Sequence, residues 1–196
     1  MEVIRNFSDL DLTKTYTYFD YLKWELDERV ELIYGKVVAM ESTSTNHQII
    51  LMNLVGNFHP HRKERNFKFF MASFDVRLNI DNTNLNVVQP DALVVLDNSI
   101  IDEQGCNGNP DLVIEIILPI TLKHDTKTKF DLYEKAGIKE YWMIYATSQI
   151  VFIYILQNGK YIGLKPVCAG CKIESHVLPS LNLSYEQVFD NLINFN

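Results

Sequence analysis

Apolar positions along the chain fall into blocks whose period switches between helical and extended. Residues 16–28 (YTYFDYLKWELDE) place Phe19, Leu22 and Leu26 at helical spacing and predict a first helix. Val30 to Met40 reads as extended, with Gly35 marking a turn or bulge between two short strands. From Ser44 to about Arg65, the residues Ile50, Leu51, Leu54, Val55 and Phe58 recur on one face. This predicts a long helix that Pro60 ends or kinks. Strands are predicted for Phe67 to Asn79 and Val87 to Leu96, separated by the turn-rich DNTN and followed by a polar loop over 97–110. Leu112 to Leu118 (LVIEIIL) is almost continuously apolar, the mark of a central strand covered on both faces. A helix over 122–136, stopped by Gly137, comes next. Short strands then follow at YWMIYA, IVFIYIL, KYIGLKP and 172–177, with Asn158-Gly159 as a hairpin turn, and a helix over 184–193 closes the chain. The order predicts an α/β (α+β) fold: a mixed central sheet flanked by helices, with a late β-hairpin.

Two acids break this pattern. Asp91 lies in VVQPDALVVL and Glu115 in LVIEIIL. A lone buried carboxylate costs several kcal/mol unless it is paired, hydrogen-bonded, protonated or metal-bound. A single such acid reads most simply as a strand end meeting solvent or an Arg. Two acids on two apolar strands read better as a shared site, because neighbouring strands about 5 Å apart can bring both carboxylates to one cation. Oxygen ligation with open water positions suits Mg²⁺ or Mn²⁺. Glu31 precedes a strand, where its plain reading is a solvated start. His47 shares the inward helix face of Ile50 and Leu51, where its plain reading is a satisfied core histidine. Asp125, Lys129 and Tyr133 lie at i, i+4 and i+8 on one helix face. Asp125 with Lys129 could be an ordinary surface pair. A lysine turned toward the acids would instead stabilise a developing phosphate charge or orient a water.

Composition narrows the class. A length of 196 residues fits one domain over 1–196, at roughly 150 residues per domain. With 47% hydrophobic and 22% charged residues, disorder and coiled coil are excluded. No apolar run approaches the roughly 20 residues of a membrane span, and MEVIRNFSDLDL lacks a signal-peptide layout, so a cytoplasmic location is expected. Three cysteines are too few for a disulfide framework. Cys168 and Cys171 form one CxxC pair, with Cys106 and His176 at no recognised zinc spacing, so a polar turn is the better reading. The net charge of −7 argues against a charge-driven nucleic-acid binder. That charge is uneven, however: residues 59–68 carry +3, residues 123–129 carry +2, and the other 179 residues hold −12. Both basic segments could equally be solvated helix ends. The distribution is compatible with weak, salt-sensitive contact over a small area.

Pro90-Asp91, followed by Glu115 one strand later and a nearby lysine, resembles the PD-(D/E)xK nucleases of the restriction-endonuclease-like superfamily. Pro110-Asp111 is a competing PD, but it lies on the same strand as Glu115. A closer resemblance, covering nearly the whole chain, is to the Uma-two family of that superfamily. It rests on ELIYGKVVAM at 31–40, His47, QPDALVV at 89–95, PDLVIEIILPIT at 110–121, DTKTKFDLYEKAGIKEYWMI at 125–144 and VFIYILQNGKY. The resemblance implies an endonuclease hydrolysing phosphodiesters in DNA, working as a homodimer. It implies Mg²⁺ (or Mn²⁺) on Asp91, Glu115 and the backbone carbonyl of Ile116, with Glu31 and His47 lining the site. Ile117 occupies the usual lysine position, so the lysine would be Lys129, with Lys127 as second candidate. Leu118-Pro119-Ile120-Thr121 stands where the branch often has Ser-Pro-Ser-Thr. These departures keep two alternatives open: a nuclease fold retained as a nucleic-acid-binding or structural module, and a small-nucleotide phosphoesterase.

Overall fold

The computed structural model describes residues 3–62, 66–120, 122 and 124–195. Its centre is a six-stranded mixed sheet. In spatial order it runs β12 (Lys160–Gly163), β11 (Ile150–Gln157), β10 (Glu140–Tyr145), β9 (Leu112–Ile117), β6 (Ala92–Val95) and β3 (Lys68–Met71). Among the described strands of this sheet, β9 and β10 alone pair parallel. The helical crossover between them is the expected connection for a parallel pair. A second six-stranded sheet is ordered β2 (Lys36–Ala39), β1 (Val30–Ile33), β5 (Val87–Val88), β4 (Val76–Arg77), β8 (Gly105–Asn107) and β7 (Ile101–Asp102). A ribbon of β13 (Lys172–Ile173) and β14 (Leu183–Ser184) completes the strands.

Alternation along the central strands builds two cores. Ala92, Val94, Ile114, Ile116, Trp142 and Ile144 face α2 (Thr45–Phe58), burying Ile50, Leu51, Leu54 and Phe58 of that helix. Leu93, Val95, Val113, Tyr141 and Met143 face the other way. There they pack on Leu132 and Tyr133 of α3 (Phe130–Ala136) and on Ile33, Val76 and Val88 of the second sheet. Ser44 caps α2 by accepting the His47 N–H, and Gly137, at φ 80°, ends α3 in the left-handed conformation. The Tyr34-Gly35 and Asn158-Gly159 turns both have positive φ at both residues, as tight hairpins require.

Several expected elements are shorter than their apolar pattern suggests. The first helix is one turn, α1 (Tyr18–Tyr21), and it buries Tyr18 while Phe19 and Leu22 are exposed. The 67–79 and 87–96 runs each split between the two sheets. Pro90 lies at the second break, having no N–H to continue a ladder. The 97–110 loop contains the β7–β8 hairpin. The last helix is only α4 (Tyr185–Val188). The helix after β9 begins as a π-helical segment, His124–Lys129, before continuing as α3. The expected end of the second helix near Arg65 falls outside the described residues.

A buried carboxylate fastens the C-terminal part to the central sheet. Glu140 accepts hydrogen bonds from Trp142 Nε1 (2.6 Å), Ser175 Oγ (3.0 Å) and the Val177 N–H (2.7 Å). Burial pushes its carboxyl pKa up against those donors. Glu140→Ala strands three donors and is expected to cost about 3–5 kcal/mol, read as a lowered urea midpoint. A midpoint within error of the parent would remove this fastening role.

Candidate active site

The two sheets, the N-terminus of α2 and the π segment meet at a cleft of about 230 Å³. Among the described residues five acidic side chains line it: Glu41, just past β2, and four that separate parts of the chain bring together. In β1, Glu31 shares the face of Ile33, which looks toward the central sheet. In β9, Glu115 shares the face of Val113 and Ile117, which looks back. Asp91 closes the crossing between β5 and β6. The antiparallel register pairs Ala92 with Ile114, so one residue further Asp91 comes beside Glu115. Asp125 is buried in the π segment and lines the same cleft.

Lys129 sits between the two glutamates. Its Nζ is 2.9 Å from Glu31 Oε1 and 3.0 Å from Glu115 Oε1. The residues are almost wholly buried, with Lys129 and Glu115 each 3% exposed and Glu31 1%. Tyr133, one helical turn on, donates its hydroxyl to the same Glu115 oxygen at 2.7 Å. Glu31 also accepts the Gln89 N–H (2.8 Å) and faces His124 Nε2 at 3.3 Å. Asp91 Oδ2 accepts the Ile116 N–H at 2.7 Å, while His47 Nε2 donates to Asp91 Oδ1 at 2.9 Å. His47 Nδ1 is buried and has no partner among the described residues.

These contacts separate the acids electrically. Burial works against the Glu31 charge, but Lys129 and the bonds from His124 and Gln89 outweigh it and hold its pKa down at about 2. Burial pushes Glu115 well above the carboxylate range. Lys129 opposes that shift, and the charges of Asp91, Asp125 and Glu31 add to it. Burial also disfavours the Lys129 charge, yet Glu115 and Glu31 more than compensate and keep it an ammonium.

All five expected side chains, Glu31, His47, Asp91, Glu115 and Lys129, therefore line one cleft, together with Ile116. Lys127 is exposed and is not brought to the acids. Asp111 of the competing PD is spent on structure, accepting the Leu96 N–H and pairing with Lys139. The expected basic flank separates in space. Arg62 and Lys68 follow the far end of α2, about 20 Å along the helix from His47, and residues 63–65 fall outside the described chain. In the second basic segment Lys129 is internal, and Lys123 falls outside the described chain. Cys168 and Cys171 are exposed in the expected turn, with the Cys171 N–H donating to the Cys168 carbonyl. The sequence pattern does not mark His124 and Gln89 as site residues. Only the QPD string hinted at Gln89, and nothing local marked His124.

Among the described residues no three His, Cys, Asp or Glu side chains form a ready-made metal cage, and no helix is long and apolar enough to cross a membrane. The Uma2 family model, described as "Putative restriction endonuclease", matches residues 19–186. "Uncharacterized protein slr1290" of Synechocystis sp. is 29% identical over 138 residues, covering 69% of this chain and 71% of its own. The crystal structure of "a putative nuclease belonging to DUF820" from Anabaena variabilis superposes with a TM-score of 0.69 at 23% identity. That match covers 88% of this chain and 97% of the other, and at this identity it establishes the shared fold.

Proposed function

The chain belongs to the Uma2 family, and from that premise we propose that it is a metal-dependent endonuclease hydrolysing phosphodiester bonds in DNA. The observation that carries this reading is the meeting of Asp91 and Glu115 with Lys129 in one cleft. The donor set fits a hard divalent cation. Its oxygens come from carboxylates, and burial, joined by the charges of Asp91, Asp125 and Glu31, pushes Glu115 up despite the opposing pull of Lys129. An incomplete protein cage suits Mg²⁺, which keeps several of its own waters. Asp91, Glu115 and the backbone carbonyl of Ile116 would hold Mg²⁺ or Mn²⁺. Bound there, the ion supplies Lewis-acid polarisation of the phosphate and acidifies a ligated water.

The protein's own groups do the positioning. His47 and the Ile116 N–H fix both oxygens of Asp91. Tyr133 and Lys129 fix one oxygen of Glu115. Lys129, kept charged by Glu31, offers an ammonium to the negative charge that develops on the phosphate. Leu118 and Ile120 give the cleft an apolar wall where hydroxyls would have stood.

Supercoiled plasmid is expected to be nicked or linearised in Mg²⁺ or Mn²⁺ and left intact in chelator. A protein that binds DNA without cutting it in either metal would select the binding-module alternative. Competition by mononucleotides as effective as oligonucleotides would select the phosphoesterase.

A further inference from the structure

Among the described residues four basic side chains line the cleft, and three are already tied to carboxylates: His47 to Asp91, His124 to Glu31, and Lys129 to Glu31 and Glu115. Arg29 differs. Among the described residues it forms no ion pair. Its Nε and Nη2 both donate to one neutral oxygen, Gln89 Oε1, at 3.0 and 2.7 Å. Gln89 is itself buried and is held through its Nε2 by Asp75 Oδ1 (2.7 Å) and the Tyr21 hydroxyl (3.2 Å). The amide thus tethers the guanidinium without neutralising it. A guanidinium carries five N–H donors, so three are left over, and a fork of this kind matches phosphate oxygens two at a time.

Position adds direction. The Arg29 carbonyl accepts the Met40 N–H, continuing the β1–β2 ladder one step beyond Val30. Arg29 and Glu31 therefore lie on the same face, about 7 Å apart along the strand. Glu31 is deep in the cleft and Arg29 is exposed at its edge.

We propose that Arg29 is a phosphate anchor, binding a backbone phosphate of the nucleic acid next to the one that is cut. This rests on the nuclease reading for the identity of the ligand, but its test requires no cleavage. A short fluorescent duplex is titrated in chelator at a series of salt concentrations with the parent protein, Arg29→Gln and Arg29→Lys. Arg29→Gln is expected to weaken binding about tenfold. It should also flatten the slope of log K against log salt by about 0.9, the value for one lost phosphate contact on duplex DNA. Arg29→Lys keeps the slope and loses part of the affinity, because the charge remains and the fork does not. In the cleavage assay Arg29→Gln raises KM and leaves kcat unchanged. Thermal melting of both variants stays close to the parent value, since Arg29 is exposed, its side chain bonds only Gln89 among the described residues, and glutamine or lysine there can still donate to Gln89 Oε1.

An unchanged slope in Arg29→Gln, or no duplex binding by the parent, overturns the anchor. So does a fall in kcat at constant KM, which would place Arg29 on the reacting phosphate. The two readings fail separately. A parent that never cuts, but whose binding loses this slope on Arg29→Gln, keeps the anchor and removes the nuclease. A parent that cuts, with the slope unmoved, does the reverse.

Discussion

Asp91→Ala is expected to abolish metal-dependent cleavage, lowering the rate by about 10³-fold or more, the scale of removing a preorganised charge-stabilising group. Asp91 is more exposed than Glu31 or Glu115, its side chain 16% accessible against 2% and 4%, so its charge is close to the cleft opening rather than sealed within the core. The fold depends on it less than on Glu31 or Glu115. Among the described residues its side-chain partners are a histidine and one backbone N–H. Alanine does strand the Ile116 N–H, at a cost of about 1–3 kcal/mol. Asp91→Asn is the cleaner companion, since its amide oxygen still accepts that N–H while the negative charge is gone. Both variants should lose plasmid cleavage, with Asn melting near the parent temperature. Calorimetric titration with Mg²⁺ should show heat for the parent and none for either variant. Cleavage retained by a folded Asp91→Asn protein would remove Asp91 from the metal site.

The acids that make up this site were legible because they violated a pattern. Glu115 stands inside six consecutive buried residues of β9, and a carboxylate there needs a reason. Lys129 was legible through its spacing from Tyr133, which survives the π segment because both residues still turn inward. The elements that misled were those in which apolar content did not equal burial. Around α1 the aromatic residues Tyr18, Tyr21 and Trp24 pack on Leu32 and Val87, while Phe19 and Leu22 face solvent. Helical spacing of the most apolar letters picked the wrong side. The 87–96 run was one strand by hydrophobicity but serves two sheets, and the crossing at Pro90 is the feature that aims Asp91 into the cleft. His124 and Gln89 could not be read locally. They meet Glu31 across 93 and 58 positions of chain, and only the packing of one sheet on the other brings them there.

Lys129→Met should be damaging twice over, and the two losses can be told apart by pH. For activity, removing the ammonium that bridges Glu31 and Glu115 is expected to cost about 10²–10³-fold in cleavage rate. For stability, it leaves two buried acids without their cation, a change of about 3–5 kcal/mol for breaking a buried pair. The folded protein holds Glu31 at a pKa of about 2, against an ordinary value of 4.5. Its pairing therefore stabilises fully above the ordinary value, and the contribution disappears as pH falls from about 4.5 toward about 2. Glu115 runs the opposite way. Its raised pKa means that stability is lost as pH rises from the ordinary carboxylate value through the raised one. In the parent, Lys129 opposes that second loss, and the methionine variant lacks that opposing charge. The gap between parent and variant should thus be small near the acid end and widen as pH rises. Urea midpoints measured across the acid-to-neutral range test this directly. A constant gap at all pH values would mean that Lys129 acts through packing alone, and its electrostatic role between the two glutamates would be wrong.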